Sequence, residues 1–283
     1  GTQSNGQGHE TVFAQFLSDQ TGIPADHIRV VQGDSDLIAS GGGTGGSRSG
    51  TVQANATLQT VAVMEKAFRA FLSDKLEVDA DQIVFDDERF RAPGSNLSPT
   101  FLEVADMARA AGRDDLMQHS AYAVLDSRSF PNGAHICEVE IDPDTGAVEV
   151  VRYSVVDDFG NLLNPMLVEG QVHGGVAQGI GQAISEHVVY DDQGQLLSAS
   201  FMDYAVPRAK DVPFYQFETE PLPTTTNVMG MKGCGEAGTV GALAAVSNAV
   251  HDALSCRGVR QLDMPFTPLR VWEALNQADV AAE

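Results

Sequence analysis

Apolar positions recur at helical spacing from His9 to Thr21, where Val12, Phe13, Phe16 and Leu17 share a face, and the run stops at Gly22 and Pro24. The short apolar run Ile28-Arg29-Val30-Val31 reads as a strand. A glycine-rich loop, Gly41-Gly42-Gly43-Thr44-Gly45-Gly46, then leads into a long helix from about Ser47 to Leu72. Gln82 to Phe85 is strand-like, and Ser98 is placed to cap a helix from about Pro99 to Ala111. Beyond the polar stretch Asp114 to Gln118 the period changes to two, and Ala121 to Leu125, Ala134 to Ile141 and Val148 to Val156 are predicted strands. The last two are joined by the turn Asp142-Pro143-Asp144-Thr145-Gly146. A helix from about Pro165 to Ala183 follows, then strands near Glu186 to Tyr190 and Phe214 to Thr219. A second glycine-rich loop, Gly230 to Gly241, opens a helix from about Thr239 to Leu254, and a last helix covers Pro268 to Gln277.

Helices and strands alternate without the regular rhythm of a doubly wound sheet, so the expected class is α+β. Gly6-Gln7-Gly8-His9 with Ala14-Gln15 resembles Gly170-Gln171-Val172-His173 with Ala177-Gln178, and each helix is followed later by a glycine loop that opens another. The echo points to two related lobes of mixed sheets packed with helices, residues 1–117 and 118–283.

Charge narrows the functions. With 17 basic against 39 acidic residues the net charge is −22, a surface that repels nucleic acid and anionic membranes. No run approaches the roughly 20 apolar residues of a membrane span. Cys137, Cys234 and Cys256 form neither a disulfide framework nor a zinc spacing, which suits a reducing cytoplasm. The chain opens at Gly1 without an initiator Met or a signal peptide and is expected to be a piece of a longer cytoplasmic protein.

In so acidic a chain an anionic ligand must be held by backbone dipoles and one or two placed cations. Helix N-termini supply unpaired N–H groups and about half a positive charge. Glycine lets the backbone approach closely. Three glycine-bearing loops feed helices here, Gly6-Gln7-Gly8, Gly41 to Gly46 and Gly230 to Gly241, which suits a large, multiply anionic ligand such as a dinucleotide. None has the ordered glycines of a Rossmann turn or the Walker pattern. Ser47-Arg48-Ser49 is either a helix start with a solvated arginine, or a hydroxyl and a bidentate donor set against phosphate. Gln7 and Gln171 each follow a glycine at a helix start, where an amide can cap or can bond a ring edge. Glu236, in Met231-Lys232-Gly233-Cys234-Gly235-Glu236-Ala237-Gly238, is either a first-turn carboxylate favoured by the helix dipole or a general base. Drying of the site would raise its pKa, while Lys232 and the helix end would lower it. His9 and His173 have no second ligand at useful spacing, so no protein-held metal is expected.

Taken together, Gly6-Gln7-Gly8-His9-Glu10-Thr11, Gly43-Thr44-Gly45-Gly46-Ser47-Arg48-Ser49, Glu169-Gly170-Gln171-Val172-His173-Gly174-Gly175 and Lys232-Gly233-Cys234-Gly235-Glu236 resemble, in order, the signatures of the molybdenum hydroxylases. This is the xanthine oxidase, aldehyde oxidase and aerobic carbon monoxide dehydrogenase family, and the likeness is greatest to its bacterial carbon monoxide dehydrogenase branch. Asp142 to Gly146 and Asn164-Pro165 extend it across the chain. The resemblance implies the C-terminal part of the large subunit, binding molybdopterin cytosine dinucleotide. Gln7, Gly8, His9, Thr44, Gly45, Gly46, Ser47, Arg48, Ser49, Gln171, Lys232, Gly233, Cys234 and Gly235 would contact the cofactor. Glu236 would be the base in oxidation of an aldehyde, N-heterocycle or similar small molecule with water-derived oxygen. Electrons would pass to an iron–sulfur small subunit and an FAD medium subunit in a dimer of heterotrimers. The N-terminal half of the same subunit would complete the site, so this chain alone is expected to be inactive. Gly45 stands where relatives often have a bulky aromatic, and Cys234 where a small aliphatic is common. The alternative is a non-catalytic lobe that binds or scaffolds, though a scaffold has no need of Glu236.

Overall fold

The apolar face beginning at His9 forms helix α1, His9–Thr21, which buries Phe13, Ala14 and Phe16 and stops at Gly22 in the left-handed region. A computed structural model describes residues 1–125 and 127–282, with side chains as far as residue 278. The architecture is α+β, a mixture of helices and two small sheets. The chain divides into two units: residues 1–129 with 224–231, and residues 130–223 with 232–283. No helix among the described residues is long and apolar enough to cross a membrane.

In the first unit, α1 is followed by α2 (Ser49–Leu76), a two-stranded antiparallel ribbon of β1 (Val84–Asp86) and β2 (Arg89–Arg91), and α3 (Phe101–Ala110). Its core is aromatic. Phe68 from α2, Phe90 from β2 and Phe101 from α3 meet with ring centroids 5.0 to 6.1 Å apart, around a fully buried Leu72 and Ile83. Edge-to-face pairs of this kind contribute about 0.5–1.5 kcal/mol each beyond the area they bury. Two expectations fail here. Ile28 to Val31 joins no ladder among the described residues, and β2 occupies what reads locally as a turn. The cap of α3 is Thr100 rather than Ser98, because Pro99 holds its predecessor extended. Thr100 Oγ1 accepts the Glu103 N–H at 3.3 Å, and the Glu103 carboxylate accepts the Thr100 N–H at 2.8 Å, a complete capping box.

The second unit is built on a three-stranded sheet, β3 (Asn132–Ile141), β4 (Val148–Asp158) and β5 (Gln216–Thr219), in the order β3-β4-β5. The first pair is an antiparallel hairpin, and β5 joins β4 in parallel. In the hairpin turn the Asp142 carboxylate accepts from the Thr145 hydroxyl and the Asp144 N–H, which holds its pKa below the ordinary carboxylate value. Of the other predicted strands, Ala121 to Leu125, which belongs to the first unit, forms none, and Glu186 to Tyr190 reduces to one isolated bridge, Tyr190 to Leu196. Both segments alternate, but among the described residues neither finds a neighbour that extends into a ladder.

Helices α4 (Pro165–Ile184) and α5 (Ala237–Ser255) pack on each other, α5 lies against β3, and α6 (Pro268–Ala282) adds Val271 and Leu275 to the same core. On α5 every fourth residue from Gly238 is buried: Gly238, Ala242, Val246, Val250 and Leu254. On α4 the matching surface is Val172, Gly175, Val176, Gly179, Ile180 and Ala183. The backbones come close enough to require glycine. A Cβ at Gly238 would lie 2.5 Å from the Val172 carbonyl oxygen, and one at Gly175 would lie 2.9 Å from the Thr239 nitrogen. Thr239 Oγ1 donates to the Gly175 carbonyl at 3.0 Å and sets the register.

Candidate functional site

Helix starts fall into two kinds. Helix α3 is closed by Thr100, and α4 by Asn164, whose side chain accepts the Leu167 N–H at 3.0 Å with Pro165 as the first helical residue. Helices α1, α2 and α5 begin at Gly8, Arg48 and Glu236 with no side-chain cap, and these are the three that follow glycine-bearing loops. Side chains capping α3 and α4 satisfy first-turn N–H groups, whereas the N-cap residues of α1, α2 and α5 make no side-chain cap hydrogen bond. Such a start suits an anion.

In the first unit the residues expected to hold a cofactor divide into struts and open backbone. The Thr44 hydroxyl accepts the Gln3 N–H at 3.1 Å, donates to the Gln3 carbonyl, and accepts from the buried Ser49 hydroxyl at 3.0 Å. The Gln7 side chain turns back to accept the Asn5 N–H. His9 is buried, stacks on Phe13 at 4.8 Å, and has Nδ1 3.4 Å from Gln32 Nε2. Burial pushes its pKa down, with the Gln32 contact opposing. Gly45, Gly46 and Arg48 are exposed, and a Cβ at Gly43, Gly45 or Gly46 would meet nothing within 4 Å. Gly43 and Gly46 hold φ of 67° and 66°, and Ser47 follows at 52° despite its side chain. The surface offered is therefore backbone, with the Arg48 guanidinium beside it.

In the second unit the loop is shorter than the glycines suggest. Helix α5 begins at Ala237, so Gly238 and Gly241 are helical contact residues rather than loop. Gln171 does not start a helix. It lies in the second turn of α4, next to Val172, whose carbonyl approaches Gly238. The α4–α5 contact thus places the turn of Gln171 alongside the first turn of α5, immediately after Glu236. Glu236 and Gly235 are exposed in this chain, so any drying of the carboxylate must come from what covers it. Cys234 packs against the core, and burial, with the Asp157 charge adding, pushes its thiol to about 11. Its side chain is structural, which leaves its backbone for a ligand.

Two features were not anticipated. Lys232 turns inward and pairs with Asp158. His135, from β3, lies 2.7 Å from the Tyr153 hydroxyl and 3.3 Å from Asp157 Oδ1, and its ring occupies the space over Gly241 on α5. Asp157 Oδ2 and the Tyr215 hydroxyl are buried beside this network with no hydrogen-bond partner among the described residues. The doubled aspartate at the end of β4 was the only local hint, and nothing in the spacing linked Asp158 to Lys232.

Residues 1–213 match the molybdopterin cofactor-binding domain family. The chain is 34% identical over 98% of its length to the carbon monoxide dehydrogenase large chain of Afipia carboxidovorans, of which it covers 35%. It is similar to the crystal structure of a copper- and molybdenum-containing carbon monoxide dehydrogenase, with TM-score 0.87 and 34% identity over 99% of this chain and 36% of that one. Quinoline 2-oxidoreductase from Pseudomonas putida gives TM-score 0.85 at 34% identity over 98% of this chain and 36% of that one. The chain spans about a third of the length of the relatives it matches. With its open helix starts and its match over residues 1–213, the chain belongs to the molybdopterin cofactor-binding domain family.

Proposed function

We propose that this chain is part of the large subunit of a cytoplasmic molybdenum hydroxylase, binds molybdopterin cytosine dinucleotide, and carries the general base. The observation that supports it most is the group of three uncapped, glycine-fed helix starts, which fit an anionic group held by backbone N–H donors. In the first unit, Gln7, Gly8 and His9 at α1, and Thr44, Gly45, Gly46, Ser47, Arg48 and Ser49 at α2, would hold the cofactor. Thr44 and Ser49 do so by bracing the loop, and Arg48 by direct pairing. In the second unit Gln171 and the backbone of Gly233, Cys234 and Gly235 would do the same. When bound, the group supplies a two-electron redox centre at which water-derived oxygen is transferred.

Glu236 takes up the proton. A base must begin as a carboxylate, and it stands where the first-turn N–H groups favour negative charge. Its substrate is an aldehyde, an N-heterocycle or a similar small molecule. Electrons then leave through iron–sulfur and FAD subunits, with the remainder of the large subunit completing the site in a dimer of heterotrimers. Purification of the full-length protein tests this: molybdenum should be present, acid hydrolysis should release cytidine monophosphate, and iron and FAD should co-purify. Release of a pterin without nucleotide would overturn the dinucleotide, and absence of molybdenum would favour the scaffolding alternative.

A further inference from the structure

Lys232 begins the loop that ends at Glu236, and its side chain is only 8% exposed. Its ammonium donates to Asp158 Oδ2, on a side chain 13% exposed, and its backbone N–H donates to the Phe159 carbonyl at 2.8 Å. Asp158 Oδ1 accepts the N–H groups of Gly160 and Leu222, each at 2.9 Å. One carboxylate therefore gathers the end of β4, the segment after β5 and the start of the glycine loop. We propose that Lys232 is a positioning residue, a latch that fixes the loop carrying Glu236 to the end of β4 through Asp158, rather than a cation for the cofactor's phosphates.

The loop explains why a latch is needed. Gly233 and Gly235 bring no side chain to pack, so between Lys232 and Glu236 the loop has only Cys234 against the core, and how its ends are held bears directly on the place of Glu236. The far end is fixed where Gly238 meets α4, and the near end has Lys232. To reach a phosphate, Lys232 would have to leave the partly buried Asp158 carboxylate with its two backbone donors but without its cation, an unfavourable exchange. Burial alone would raise the Asp158 pKa, but the bonds from Lys232, Leu222 and Gly160 outweigh it and the net shift is downward, which favours the carboxylate. The latch itself is a matter of stability, while its value for turnover rests on the reading of Glu236 as the base.

The test uses Lys232→Met, Asp158→Asn and the double variant in the full-length protein, reading melting temperature, molybdenum per subunit and turnover per bound molybdenum. Each single variant leaves one buried charge unpaired and should lower the melting temperature by about 6 °C or more, while the double variant, with neither charge, should recover much of that loss. Molybdenum content should stay within about two-fold of wild type in all three, and the two single variants should lose turnover by the same factor, about ten-fold, as about 1.4 kcal/mol of misplacement gives. Melting-temperature losses that simply add, or loss of molybdenum in the Lys232 variant alone, would overturn the latch. Because the coupling is read from stability, it stands or falls separately from Glu236, which is tested by its own substitution.

Discussion

Helices α4 and α5 lie against each other and begin in opposite ways. Asn164 closes α4 with its own side chain and Pro165 removes one donor, whereas α5 starts after Gly233 and Gly235 with Glu236 as its N-cap and no side-chain cap hydrogen bond. The pair teaches that a helix end is a choice between stability and binding. A capped start uses its donors internally, and an open start keeps them for something else. The same division separates α3 from α1 and α2 in the first unit.

Four measurements would break or sharpen that contrast. Glu236→Gln in the full-length protein should lose about 10²–10⁴-fold in turnover per bound molybdenum, the range general-base catalysis contributes, with melting temperature and metal content unchanged. Turnover within a few-fold of wild type would make the open start of α5 an ordinary helix end. Gly238→Ala tests how firmly that start is held. Its methyl group would lie 2.5 Å from the Val172 carbonyl, and overpacking of this kind costs about 1–3 kcal/mol, to be read from denaturant midpoints. On the closed side, Asn164→Ala should cost about 1 kcal/mol of stability and leave molybdenum content and turnover alone. A loss of metal in that variant would erase the distinction between the two kinds of start.

The smallest effect concerns His9 at the start of α1. Burial holds its pKa below the ordinary 6.5, so the folded state resists a proton that the unfolded chain accepts. Its contribution is complete above about pH 6.5 and is lost as pH falls from there toward the folded value. Chemical denaturation between about pH 7.5 and 5.5 should show that loss, and His9→Gln should flatten it. An unchanged slope would mean that His9 is hydrated in solution.

Local periodicity carried what depends on neighbours in the chain. The bounds of α1, the β3–β4 hairpin with its Asp142 turn and the start of α4 at Pro165 could all be read from spacing and turn chemistry. Even the capping box of α3 was present as Thr100 and Glu103, masked by the nearer Ser98. What sequence could not give depends on partners distant in the chain. Ala121 to Leu125 alternates as a strand does, yet a strand exists only where a second one pairs with it. Lys232 is a free cation in the sequence and a neutralised one in the fold, because Asp158 lies 74 residues away. Of the candidate site, the glycine loops and Glu236 were legible. That Thr44, Gln7 and Cys234 turn their side chains into the protein was not.

The contact between α4 and α5 has a bearing on how this surface can vary. At Gly175 and Gly238 it is main chain against main chain, and at Gly179 the nearest neighbour is the small Ala242 Cβ, so few rotamers need to be repacked when the side chains around it drift. Descendants of this sequence could exchange most of the apolar residues along both helices and still present the turn of Glu236 in the same place. The three glycines are the exception. A saturation library should find them nearly immutable while Val176, Val246 and Val250 accept other aliphatic residues, a pattern of inheritance written in backbone rather than in side chains.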